Sequence, residues 1–250
     1  MLELDGASRA QIEVSLKIRL THLFCALLIF QGNADLAVAQ QDELERLKTA
    51  TTVLEEIMAA PDSAIPQGIL KNAEAIAIIP NTIKAGFIFG GHRGKGVISS
   101  RNELDEWSQP AFLTLTGGSF GLQIGGQAID LVLVIMNRRG LETLLRNEFK
   151  IGGDASAVIG PVGRDIEATT DLYLRAEILS YSRTRGLFAG ITLKGSTIAA
   201  DHDANERFYG HPFESAALLL DDESATAHDP EAVDTWRTTL ARQVPLHDAP

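Results

Sequence analysis

The chain has 250 residues, of which 45% are hydrophobic and 22% charged, and a formal net charge of −11 at pH 7. This composition is that of an ordinary globular protein and argues against disorder. The acidic balance also argues against a nucleic-acid-binding protein, and any contact with an anionic membrane would need a local basic patch.

The amino-terminal residues have the features of an export signal. Basic residues precede the apolar run Leu20–Phe30, and Ala37 and Ala39 provide a small-x-small cleavage site before Gln40. The apolar run has 11 residues, whereas a membrane-spanning helix needs about 20. We therefore expect residues 1–39 to be a signal peptide, and the mature protein to be periplasmic or secreted in a bacterium.

Two features of this segment leave alternatives open. The acidic stretch Met1–Glu13 does not suit a signal peptide, which suggests that translation starts at Val14. A helix over Leu16–Phe30 in a cytosolic protein is the other interpretation. The single cysteine, Cys25, lacks the small preceding residues of a lipoprotein signal. The mature chain would have no disulfide, no thiol nucleophile and no cysteine-based zinc site.

The first mature segment predicts an amphipathic helix over Asp42–Ala60, ended by Pro61. Its apolar positions recur at steps of three and four residues: Leu44, Leu47, Thr51, Leu54 and Met58. The opposite face mixes both signs of charge, which favours a solvated surface over a basic membrane-binding face. These charged residues are Glu43, Arg46, Lys48, Glu55 and Glu56.

Short apolar or alternating runs, separated by glycine and polar turns, predict a β-rich body. The first predicted strand is Ala75–Ile79, stopped by Pro80. The others are Ala85–Gly90, Gly96–Ser100, Ala111–Thr116, Phe120–Gln127, Ile129–Met136, Ala155–Ile159, Thr169–Leu174, Ala176–Ser182 and Leu187–Leu193. Their close spacing favours antiparallel pairing, because parallel strands need crossover connections of about a dozen residues or more.

Helices are predicted around this body. Asp203 and Glu206 fit a capping box that begins a short helix toward Tyr209. The remaining predicted helices are Ile65–Leu70, Arg138–Phe149, Phe213–Leu220 and Pro230–Arg242. The last two suggest carboxy-terminal helical packing or a partly loose tail.

Four phrases occur in order between Lys84 and Gly210: KAGFIFGGHRGKG, GPVGRDIEA, YSRTRGLFAGITLKGS and DANERFYG. Together they resemble the SYLF family of lipid-binding modules, over about Ile65–Gly210. With the predicted elements, the resemblance implies an α+β domain with a curved, mainly antiparallel, open or barrel-like sheet flanked by helices. We expect the SYLF-like domain over 40–220, with a carboxy-terminal tail or short helix over 221–250.

The resemblance implies non-enzymatic binding of anionic membrane lipids, such as phosphoinositides or anionic phospholipids, through peripheral membrane association. Some eukaryotic SYLF proteins also bind actin, a partner that a periplasmic location disfavours. In Gly90–Gly96, successive glycines expose backbone N–H groups and Arg93 can bind phosphate with two hydrogen bonds. A solvated hairpin turn is the alternative interpretation. The lipid-headgroup candidates are Lys84, His92, Arg93, Lys95, Arg183, Arg185 and Lys194.

Two motifs invite an enzymatic interpretation. Gly117–Gly121 matches the G-x-S-x-G motif of hydrolases, with Ser119 as the nucleophile, but a strand rather than a helix is predicted to follow. The other triad members would be Asp130 or Asp154 with His202 or His211. Gly90–Gly96 lacks the residue order of a nucleotide-binding P-loop.

Asp201–Asp203 offers metal-ligand types without a closed ligand spacing. We expect no catalysis, no cofactor and no metal. A serine hydrolase and an envelope protein–protein interaction module remain the alternative functions.

Overall fold

The structure is a computed structural model. It describes residues 40–59, 64–86, 89–120, 127–145, 149–151, 157–162, 173, 176–184, 187–188, 193, 195–220 and 229–247. Residues Glu43–Pro250 form one compact unit. The signal peptide expected at residues 1–39 lies outside the described residues.

Six helices occur in the described part of the chain. They are α1 (residues 40–58), α2 (Gln67–Lys71), α3 (Arg138–Leu144), α4 (His202–Tyr209), α5 (Ser215–Leu220) and α6 (Pro230–Gln243). The apolar periodicity of α1 is confirmed, since Leu47 and Leu54 are fully buried. The prediction that Glu43 and Arg46 are solvated was wrong, because both side chains are buried.

Nine strands of the described residues form one sheet. They are β1 (Ala75–Gly86), β2 (Phe89–Ser100), β3 (Ala111–Phe120), β4 (Gln127–Ile135), β5 (Phe149–Lys150), β6 (Ala157–Ile159), β7 (Ile178–Thr184), β8 (Leu187–Phe188) and β9 (Ser196–Ala200). Their order is β5-β9-β3-β2-β1-β4-β7-β6, with β8 paired to β7. Only β6 and β7 pair in parallel among the described strands. The α+β prediction, with a curled sheet flanked by helices, is confirmed.

The prediction that Pro80 ends the first strand was wrong. β1 continues to Gly86, and its register shifts between Ile79 and Thr82, as in a β-bulge. Asn81 in the bulge has a φ of 49°, and its N–H donates to Asp130 Oδ1 at 3.1 Å. A bulge accommodates proline because it interrupts the ladder of backbone hydrogen bonds.

The N-cap of the helix after β9 lies two residues earlier than predicted. Asp201, not Asp203, is the N-cap, and its carboxylate accepts a hydrogen bond from the N–H of Ala204 at 3.3 Å. Gly210 ends the helix with a φ of 79°, a left-handed conformation that favours glycine. The expected helix therefore forms, but with a different capping residue.

The α6 segment packs into the core as a helix. Trp236 is fully buried, and its Nε1–H donates to Ser99 Oγ on β2 at 2.8 Å. Val233 and Leu240 on the same helix are also buried. Of the two interpretations of this segment, the structure therefore shows helical packing.

Candidate functional site

β2 is covered on both faces at one end and on a single face at the other. Val97–Ser100 are all buried, whereas Arg93 and Lys95 are exposed and His92 is buried. Residues two apart in a strand share a face, so Arg93 and Lys95 share the face of Val97 and Ser99. α6 covers this face at Ser99 and leaves it open at Arg93 and Lys95.

A row of directly opposed residues crosses this open face from β1 to β5. The row is Ile83, Arg93, Thr116, Thr197 and Lys150. Ile83, Arg93, Thr116 and Lys150 are exposed, and Thr197 is half-buried. Lys95 lies next to Arg93 on the same face and opposite Thr114. We call these seven residues the basic face.

The spacing of the basic face suits an anionic group. Adjacent strands lie about 4.8 Å apart, so Arg93 and Lys150 are about 14 Å apart across three strand steps. Lys95 lies two residues from Arg93, about 7 Å along the strand. Within the part of the chain that the structure describes, neither Arg93 nor Lys95 has an ion-pair partner. Arginine forms bidentate hydrogen bonds with phosphate, and threonine hydroxyls donate further ones.

The prediction of a glycine loop or hairpin turn at Gly90–Gly96 was wrong, because this segment is part of β2 and pairs with β1 and β3. Its glycines permit close packing instead. A Cβ at Gly94 would lie 2.5 Å from Ile79 Cγ2, and one at Gly96 would lie 2.5 Å from Ile78 O. The bulged strand β1 therefore approaches β2 too closely for larger residues.

His92 is placed where a membrane lipid cannot reach it. Only 4% of the residue is exposed, and its Nε2 lies 2.7 Å from Ser196 Oγ. Lys84 is directly opposite His92 in the register of β1 and β2. Lys84 therefore lies in the same register position as the buried His92, and not in that of Arg93 or Lys95.

Arg183 is held by two carboxylates. It forms ion pairs with Glu56 on α1 and with Asp130 on β4, the latter at 3.2 Å. Burial lowers the pKa of its guanidinium, but the hydrogen bonds to Glu56 and Asp130 outweigh this effect and raise the pKa above its ordinary value. Arg183 therefore joins α1 to the sheet. Arg185 and Lys194 lie outside the described residues.

A largely buried ionic cluster joins α1 to α4, and sequence analysis missed it. Arg46 Nη1 lies 3.1 Å from Asp201 Oδ2, and Arg207 Nη2 donates to Glu43 Oε1 at 2.7 Å. The hydrogen bond from Arg207 to Glu43 raises the pKa of the guanidinium. Arg46 also lies over the ring of Phe112, with 5.2 Å between Cζ and the ring centre. The pairs that join the two helices are separated by 155 and 164 residues in sequence, so no local pattern indicated the cluster.

Aromatic packing, one of the two structural roles predicted for the phrase DANERFYG, is confirmed, whereas the N-cap of the helix is Asp201, which precedes the phrase. Asn205 is fully buried, and its Oδ1 accepts a hydrogen bond from the N–H of Phe112 at 2.8 Å. Phe208 packs edge-on against Phe112 with ring centres 5.0 Å apart. The Tyr209 hydroxyl donates to the carbonyl of Pro110 at 2.5 Å, and burial raises the pKa of this hydroxyl. These contacts fasten α4 to β3.

The hydrolase alternative has no support in the backbone around Ser119. Ser119 lies within β3, directly opposite Gly90 on β2, whereas a nucleophile elbow is a sharp turn from a strand into a helix. Asp130 bonds to Arg183 and Asn81, and Asp154 lies outside the described residues.

The described residues offer neither a metal site nor a membrane-spanning helix. Within the described ranges, no group of three or more potential ligands could hold a metal ion. No helix there is long and apolar enough to cross a membrane.

A family model described as "Ysc84: Las17-binding protein actin regulator" matches residues 116–243, about half of the chain. The chain belongs to the Ysc84 family. This family is the SYLF family that the sequence phrases resemble, so that prediction is confirmed. Most of the basic face, including β1 and β2, lies before the matched residues, while Thr116, Lys150 and Thr197 lie within them.

Two Ysc84 relatives extend the comparison. The chain is 34% identical over 178 residues to "LAS seventeen-binding protein 3" of Saccharomyces cerevisiae, covering 69% of this chain and 37% of that protein. It is 31% identical over 163 residues to "SH3 domain-containing YSC84-like protein 1" of Homo sapiens, covering 65% of this chain and 47% of that protein. The chain therefore spans less than half the length of these relatives. The family is described by binding and regulation rather than by catalysis.

Proposed function

We propose that this Ysc84-family chain is a non-enzymatic binding module whose basic face contacts the anionic headgroups of membrane lipids. The observation that carries the proposal is the open face of β2, where Arg93 and Lys95 are exposed and lie in register with Thr116 and Thr114. An acidic protein needs such a local cluster of cations to approach an anionic bilayer.

Ile83 gives this face an apolar component. The residue is 60% exposed and lies directly opposite Arg93. An apolar side chain beside cations suits the boundary between headgroups and acyl chains, where both kinds of contact contribute to binding. We propose in addition that the protein is exported and associates peripherally with a membrane of the bacterial envelope.

Liposome flotation tests the proposal. The full chain is mixed with vesicles of neutral phosphatidylcholine, or with vesicles that also contain phosphatidylglycerol, cardiolipin or a phosphoinositide. We expect flotation with anionic vesicles only, and at least a tenfold loss of binding for Arg93→Ala/Lys95→Ala. Each basic residue near an anionic surface contributes about 1 kcal/mol.

The matched control is Arg138→Ala/Arg139→Ala, which removes the same charge from exposed positions of α3. It should float like the wild type. Equal losses for both double variants would mean that only net charge matters, and flotation that survives Arg93→Ala/Lys95→Ala would move the lipid site elsewhere.

A second candidate function is binding of a protein partner, which is favoured by the family description as Las17-binding and actin-regulating. Cosedimentation of the full chain with actin filaments tests it directly. Sedimentation with filaments and no flotation with any vesicle would make this the leading function.

A further inference from the structure

Two exposed leucines lie at the far end of β2 from the basic face. Leu104 is 78% exposed and Leu246 is 66% exposed, more than any other large apolar residue in the described part of the chain. Single exposed leucines are normal on protein surfaces. These two, however, are linked by direct contacts between their neighbours, Asp105 and His247.

The contact between those neighbours is a set of hydrogen bonds. The imidazole Nδ1 of His247 lies 2.7 Å from Asp105 Oδ1, and the backbone N–H of His247 donates to Asp105 Oδ2 at 3.2 Å. Leu104 and Leu246 are each one residue away from this pair. The carboxy-terminal segment thus brings its leucine beside the turn that follows β2.

Hydrogen bonds hold the backbone beside both leucines. Asn102 Oδ1 accepts hydrogen bonds from the N–H groups of Leu104 and Glu106, both at 2.9 Å. Arg101, which is 3% exposed, donates to the carbonyl of Pro245 and to His247 Nε2 at 2.7 and 2.9 Å. Surfaces held in their bound conformation lose little conformational entropy when a partner docks.

The charge around the leucines favours a basic partner over an anionic membrane. Glu103 and Glu106 are exposed on the same turn. Two arginines of this region are engaged, since Arg101 is buried among carbonyl groups, one of them that of Lys71, and Arg237 donates to the carbonyl of Trp107 at 2.7 Å. Carboxylates flanking an apolar pair complement a segment that is itself apolar and basic.

We propose that Leu104 and Leu246, with Glu103 and Glu106, form a docking surface for a short leucine-rich, basic segment of another protein. The surface is distinct from the basic face, because Arg93 and Arg101 are eight residues apart on one extended stretch of chain, or about 26 Å. Lipid and protein could therefore be bound at the same time.

The test uses a fluorescein-labelled amphipathic peptide of leucine and lysine as the probe. Fluorescence anisotropy with the full chain should show binding that weakens at least tenfold in Leu104→Ser/Leu246→Ser, which corresponds to about 1.4 kcal/mol. A peptide with serine in place of leucine, and one with glutamate in place of lysine, should both bind at least tenfold more weakly than the probe.

The control variant is Ile83→Ser, which removes an exposed apolar residue from the basic face and should leave the affinity for the peptide unchanged. Equal binding by Leu104→Ser/Leu246→Ser and the wild type would overturn the proposal. Loss of vesicle flotation in Leu104→Ser/Leu246→Ser would also overturn it, because the leucines would then be a lipid contact. Self-association of the wild type that the variant abolishes would assign the surface to a second copy of this chain.

Discussion

Individual residues of the Gly90–Gly96 stretch have roles that differ from their appearance in the sequence. Exposed N–H groups were the expected reason for its glycines, yet Gly94 and Gly96 face the bulge of β1 at distances that exclude a Cβ. Of the two cations and the histidine, Arg93 and Lys95 are exposed and His92 is buried. Successive side chains of a strand point to opposite faces of the sheet, which places His92 on the other face from Arg93 and Lys95. Sequence analysis predicted no strand over these three residues.

Gly96→Ala should destabilise the fold. Its Cβ would lie 2.5 Å from Ile78 O and 2.6 Å from Ile79 Cγ1, and overpacking of this kind costs about 1–3 kcal/mol. Urea unfolding followed by circular dichroism measures the change. Gly91→Ala on the same strand is the control, since its Cβ would meet Gly117 O at an ordinary 3.4 Å. Equal stability of the two variants would show that β1 does not approach β2 as described.

Asp201→Asn should cost about 2 kcal/mol in the free energy of unfolding, because the buried Arg46 loses the carboxylate at 3.1 Å and keeps only that of Glu43, at 3.7 Å. Asparagine still caps a helix well, so the loss reports the ion pair rather than the cap. The exposed Asp203→Asn serves as the control and should change stability by less than about 0.5 kcal/mol. Chemical denaturation of both variants would decide between the two aspartates, and a larger loss for Asp203→Asn would contradict the structure.

At the scale of elements, tertiary contacts decide which side chains of a helix are buried and where a strand ends. α1 was predicted correctly as an amphipathic helix, but its charged residues Glu43 and Arg46 are buried against α4, and the exposed Glu56 pairs with Arg183 on β7. β1 continues past Pro80 because the bulge interrupts the backbone hydrogen bonds at this position, where proline has no N–H to donate. Neither outcome can be inferred from local periodicity, since each depends on a partner far away in the chain.

Trp236→Ala in α6 should destabilise the domain by about 3–5 kcal/mol, the usual cost of a large core truncation. The variant removes a fully buried ring and its hydrogen bond to Ser99. Thr235→Ala, at an exposed position of the same helix, should be close to neutral. Thermal unfolding of the two variants compares them, and a wild-type melting temperature for Trp236→Ala would mean that α6 is only a loosely attached tail.

At the scale of the whole molecule, charge is unevenly distributed. The net charge is −11, while the open face of the sheet presents Arg93, Lys95 and Lys150 around threonine hydroxyls. Attraction to an anionic bilayer therefore acts locally and against the overall field of the protein.

Binding to cardiolipin vesicles should consequently fall as salt is raised. Between about 0.1 M and about 1 M ionic strength the Debye length shrinks from about 10 Å to about 3 Å. Flotation of the full chain across this range should decrease steadily and should change less for Arg93→Ala/Lys95→Ala. Flotation that is insensitive to salt would indicate apolar insertion instead of headgroup contact.

The sequence alone determined the family, the α+β class, the mainly antiparallel sheet, the amphipathic first helix and the packing role of DANERFYG. These features follow from local periodicity and from phrases of neighbouring residues. Only the tertiary structure decided that Arg93 and Lys95 are exposed while His92 and Arg183 are engaged, and that Lys150 joins the same face. The physical reason is that exposure and ion pairing depend on strand register and helix packing, which bring together residues that are far apart in the sequence.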